Sequence, residues 1–121
     1  MTNLTNLIDN YIAAWNEVDS GRRRELIART WTEAATYLDP VLKGEGRAGI
    51  DTMIQSVHER FPGHKFRRTS DIDMHNDRVR FTWELAPEGG EAVVKGTDFG
   101  IVAAGERLQA MTGFFDHVPA A

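Results

Sequence analysis

The spacing of apolar residues changes period once along this chain, and that change limits the available folds more than any other feature. From the start, apolar side chains fall at Leu4, Leu7, Ile8, Tyr11, Ile12, Trp15 and Val18, the three-four spacing of one helical face. Asp19-Ser20-Gly21 interrupts this pattern. Ser20 is placed to cap a second helix whose inner side carries Leu26, Ile27 and Trp31. A strand follows and runs to Leu38; after Pro40, Lys43 to Arg47 reads as a loop. Ile50, Met53, Ile54, Val57 and Phe61 then mark a third helix, stopped by Pro62-Gly63.

Beyond Pro62 the period drops to two. Phe66, Ser70, Ile72 and Met74 alternate with Lys65, Arg67, Thr69, Asp71 and Asp73, and Val79, Phe81, Trp83 and Leu85 alternate with Arg78, Arg80, Thr82 and Glu84. A tight turn at His75-Asn76 pairs these two strands with Asp73 opposite Arg78, Asp71 opposite Arg80, Thr69 opposite Thr82 and Arg67 opposite Glu84. Arg68 falls on the apolar face, near Trp83. Two further strands are predicted, at about residues 91–103 and 107–117. Helices first and an antiparallel meander afterwards predict a single α+β domain over 1–121, its helices packed on one face of a curved sheet. Gly96, Gly100 and Gly113 lie inside predicted strands, where glycine favours bends or close approach and so a cone-shaped sheet.

Composition narrows the chemistry. The chain has no cysteine, which excludes thiol catalysis, thiolate metal sites and disulfides. His58, His64, His75 and His117 lack metal-ligand spacing, and no dinucleotide or phosphate-loop motif occurs, so no metal and no cofactor are expected. A net charge of -4 argues against a nucleic-acid partner. No apolar run is long enough to span a membrane and the first residues do not resemble a signal peptide, so a cytoplasmic location is expected.

Two acids stand out. Asp39 ends the apolar run Ala34-Ala35-Thr36-Tyr37-Leu38, and Asp98 shares strand parity with Ala92, Val94, Gly96, Gly100 and Val102. A carboxyl desolvated among such groups resists ionising, so one cavity can hold one carboxyl as a base and another as a neutral donor. Tyr11, on the inner face of the first helix, is the third candidate catalytic group. Trp15, Tyr37, His58, Phe81, Trp83 and Met111 are expected to line the same cavity. Each acid also has a plainer reading: Asp39 can cap its own turn, and Asp98 can hold a backbone amide, Arg68 or a dimer partner.

The order of elements, with Tyr11-Ile12-x-x-Trp15, Tyr37-Leu38-Asp39-Pro40, Gly44-x-Gly46-x-x-x-Ile50, Gly96-Thr97-Asp98-Phe99 and Phe114-Phe115-Asp116, resembles the nuclear transport factor 2-like superfamily over nearly the whole chain. Within it the chain is most similar to the SnoaL-like proteins, and ketosteroid isomerase is the member whose functional residues carry over most directly. This resemblance implies a strongly curved, mostly antiparallel sheet with three helices from the N-terminal half on its concave face. It also implies roles: Asp39 as the proton shuttle, with Tyr11 and a neutral Asp98 holding the oxyanion of an enolised carbonyl compound. The function expected is acid/base chemistry on a small apolar or carbonyl-containing ligand. The alternative is a non-catalytic homodimeric binding domain. A homodimer is expected in either case, because Phe99, Ile101 and Phe115 on an open sheet need a cover.

Overall fold

The computed structural model describes residues 4–118. Helix α1 spans Leu4–Asn16 and buries Leu4, Leu7, Ile8, Tyr11, Ala14 and Trp15, the stripe its spacing predicts. Val18 does not join that stripe, because the helix ends at Asn16 and leaves Val18 exposed. Helix α2 spans Ser20–Thr30. Its N-cap is Asp19 rather than Ser20: the Asp19 carboxylate accepts from the Arg22 amide at 2.9 Å. Trp31, expected on α2, instead opens strand β1, Trp31–Leu38, and is buried against the Tyr11 ring.

A short strand β2, Lys43–Glu45, occupies the expected loop and pairs antiparallel with β1. Helix α3 covers Gly46–Arg60. The remaining strands are β3 His64–Arg68, β4 Asp73–His75, β5 Arg78–Pro87, β6 Val94–Ala103 and β7 Arg107–His117. Among the described residues the sheet runs β2-β1-β7-β6-β5-β3, with β4 also on β5. The β1–β7 pairing is parallel, which makes the sheet mixed and brings the end of β1 beside the centre of β7.

The β3–β5 register is the expected one: Phe66 faces Leu85, Arg67 faces Glu84 and Arg68 faces Trp83. Beyond Thr69 the chain gains two residues, so Asp73 faces Arg80, not Arg78, and Asp71 faces no arginine. The turn responsible lies at Asn76-Asp77, with Asn76 at φ 52°, a left-handed conformation asparagine tolerates. Ser70 fills the resulting break, its hydroxyl accepting from the Thr82 amide. Arg68 meets no acid; its guanidinium donates to the Ser70 carbonyl.

The core lies between the helices and the inner face of β1, β5, β6 and β7, where Tyr11, Phe81, Val79, Met111 and Leu108 are buried. Where α1, α2 and α3 meet, buried Arg23 donates to Asp51 at 2.6 Å, to Gln55 at 2.8 Å and to the Glu17 carbonyl at 3.0 Å. On the outer face Leu38, Phe99 and Phe114 are exposed. Phe115, expected there, turns inward: it shares parity with Met111 and Gly113 and packs on the Trp83 ring.

Candidate functional site

The parallel contact of β1 with β7, and the antiparallel contact of β7 with β6, fix the heart of the site. Gly113 on β7 faces Asp98 on β6, while Tyr37 on β1 faces Met111 on β7. Asp39 follows two residues after Tyr37, on the same side of the chain. A Cβ placed on Gly113 would lie 2.9 Å from the Tyr37 hydroxyl, 3.0 Å from Asp98 Oδ1 and 3.2 Å from Asp39 Cβ. The missing side chain is therefore what lets two carboxyls and a phenol converge.

Asp98 is 3% exposed and accepts two hydrogen bonds, from Tyr11 Oη at 2.6 Å and from Trp83 Nε1 at 2.8 Å. Burial pushes its carboxyl up to about 7; the bonds from Tyr11 and Trp83 pull against that shift, and the Asp39 charge adds to it. Neither Arg68 nor a backbone amide satisfies it. The Tyr11 hydroxyl is held well above its ordinary range, first by burial and then by the Asp98 charge.

Asp39 divides its two oxygens. Oδ1 accepts from the Val41 and Leu42 amides at 2.8 and 2.7 Å, so it does cap its own turn. Oδ2 accepts from Tyr37 Oη at 2.8 Å, on the cavity side. Burial, then the charges of Asp98 and Asp39, raise the Tyr37 hydroxyl well above its usual value.

These groups form the floor of an apolar cavity of about 190 Å³. Its walls are aromatic. Rings of Trp15 and Phe66 stand 5.1 Å apart, Phe66 and Trp83 5.5 Å, and Trp83 and Phe115 6.2 Å, all tilted or edge-on. Gly96 permits this arrangement, since a Cβ there would fall 2.3 Å from the Trp83 ring. Asp39, Asp98, Tyr11, Trp15, Tyr37 and Trp83 all line the cavity, as expected from the sequence.

Three other expected lining residues lie elsewhere. Phe81 is behind Tyr11, edge-on at 5.9 Å. Met111 is buried beneath Gly100, and His58 is spent on the Trp15 carbonyl, 2.6 Å from Nε2. Sequence reasoning missed Gly113 as the residue that opens the floor and Arg60 as a charged lining residue; a glycine within the apolar alternation of β7 was the available signal for the first. Among the described residues no His/Asp/Glu group is arranged to hold a metal ion. No helix among them is long and apolar enough to cross a membrane.

The family profile of the SnoaL-like domain matches residues 8–111, a span that includes Tyr11, Asp39 and Asp98. The chain belongs to the SnoaL-like family. A SnoaL-like protein from Agrobacterium tumefaciens str. C58, described as a candidate isomerase, is 38% identical, with 93% of this chain and 96% of that one covered and a TM-score of 0.88. Two more distant structures share the fold. A candidate SnoaL-like polyketide cyclase from Jannaschia sp. CCS1 is 17% identical, with 93% and 86% covered and a TM-score of 0.68. A nuclear transport factor 2-like protein of unknown function from Cytophaga hutchinsonii is 13% identical, with 96% and 92% covered and a TM-score of 0.67. No protein of curated function matches this SnoaL-like chain.

Proposed function

We propose that this SnoaL-like domain catalyses proton transfer on a small carbonyl compound, as an isomerase or cyclase does. The observation that carries the reading is the meeting of Asp39 and Asp98 across Gly113 at the floor of an apolar cavity. In such a place the environment separates two carboxyls into different roles. Asp39 Oδ1 is filled by two amides, so Oδ2 is the oxygen that takes the proton. A C–H bond next to the carbonyl breaks toward Asp39, its electron pair becomes the enolate double bond, and the charge moves to the carbonyl oxygen. Tyr11 and the protonated form of Asp98 turn from each other to that oxygen. Asp39 then returns the proton to a second carbon.

The test is isotope exchange followed by NMR. Small ketones should exchange the proton next to the carbonyl in the presence of the protein, and Asp39→Asn should slow this on the order of 10²- to 10⁴-fold. The rate should fall as pH rises through about 7, where Asp98 loses its donor proton. No exchange above background across the panel would leave the non-catalytic binding domain, which Asp39's role in its own turn also supports.

The reading includes a homodimer. Leu38, Phe99 and Phe114 lie on one face of three adjacent central strands, and a second copy would cover them. Light scattering at micromolar concentration should return twice the chain mass; a monomer mass would refute this part.

A further inference from the structure

Of the described side chains lining the cavity, only Asp39, Asp98 and Arg60 are carboxyl or guanidinium groups, and they divide by depth. The acids are buried at the floor, whereas Arg60 is exposed at the rim with Val41 and Val118. Arg60 is the last residue of α3, where a cation is favourable without any ligand. Its other surroundings are what single it out. Among the described residues it makes no ion pair, and the adjacent Glu59 is engaged by Gln55. An unneutralised guanidinium at the mouth of an aromatic-walled cavity is suited to a carboxylate, which it can hold through two parallel hydrogen bonds.

Size adds a second limit. An apolar cavity of about 150 Å³ takes one benzene, so the inner space of about 190 Å³ seats one ring with a short chain, and anything larger has to extend out through the mouth. The walls of Trp15, Phe66 and Trp83 offer ring edges and faces at steep angles to one another, which suit an aromatic or otherwise unsaturated body. The Asp39 carboxylate at the floor repels an anion, so a molecule with one charged end enters with that end outward.

We infer that the ligand is an unsaturated carbonyl compound of about one-ring size bearing a carboxylate, with the carbonyl end at the floor and the carboxylate on Arg60. This rests on the proposed proton-transfer reading only in placing a carbonyl at the floor. The substrate would be a keto acid or its vinylogue, and the protein's net charge of -4 makes a local cation more necessary for capturing it.

The probe pair is 3-(4-hydroxyphenyl)propanoate and its primary amide, whose phenol substitutes for the enolised carbonyl. Calorimetric titration at low salt should find the acid bound about tenfold more tightly than the amide, with the ratio falling as salt is added. Arg60→Gln should bring the ratio close to one, the acid losing more affinity than the amide, and Arg60→Lys should restore part of the ratio. Equal binding of the two probes, failure of both to bind, or a ratio that survives in Arg60→Gln would overturn the inference. Because the readout is a ratio of affinities, it holds or fails independently of whether any ketone is turned over.

Discussion

Arg23 and Asp98 are both nearly sealed from solvent, 1% and 3% exposed, yet their surroundings are opposite in kind. Arg23 has an anionic partner in Asp51 and an amide oxygen from Gln55, both on α3, and the backbone carbonyl of Glu17 just after α1, so it ties these segments together. Asp98 has only neutral donors, a phenol and an indole, and it faces a cavity. Full compensation fixes one charge state, which serves architecture. Partial compensation leaves two charge states of similar energy, which serves proton exchange.

The contrast can be broken most severely at the helix junction. Asp51→Ala strands the Arg23 charge and should cost about 3 to 5 kcal/mol in urea unfolding, toward the lower end because the Asp51 side chain is 19% exposed. Arg23→Met, which removes the buried charge and keeps the packing, should cost clearly less; equal losses would mean that packing, not charge, holds the junction. At Asp98 the expectation reverses. Its folded carboxyl keeps a proton to about 7 whereas the unfolded one releases it near 3.8, so the folded protein loses stability as pH rises through that window. Asp98→Asn should lack this slope and be about 2 to 4 kcal/mol more stable relative to wild type at pH 8 than at pH 4. Parallel stability curves for the two proteins across that range would show that the carboxyl is compensated after all. The smallest effect should come from the surface pair Arg67–Glu84, where the Arg67 side chain is 74% exposed. Glu84→Gln should cost about 1 kcal/mol or less, and that little should vanish in high salt.

What the sequence revealed of this fold followed its periodicities. The inner stripe of α1, the extent of β7 and the Arg67–Glu84 pairing were all legible because each rests on local spacing. The two-residue slip at Asp73 was not. A shift of two leaves every side chain on the same face, and Asp73 finds an arginine at either Arg78 or Arg80. The acids at the site were legible as charges out of place, Asp98 in an apolar strand and Asp39 after an apolar run. His58, Phe81 and Met111 were misplaced because a helical or strand face gives direction but not depth: each points inward and is consumed by a nearer neighbour. Asp19 displaced Ser20 as cap because α2 begins one residue earlier than the cap assignment assumed.

The floor of the cavity depends on an atom that is not there. Every other contributor to it, Tyr37 and the two acids included, can be weakened by degrees, but position 113 has only two settings, since any Cβ would stand within 3 Å of the Tyr37 oxygen. Along a lineage, such a position acts as a latch. One substitution there would part the carboxyls while leaving the sheet pairing to fold a stable domain, so a descendant could keep the architecture and abandon the reaction in a single step.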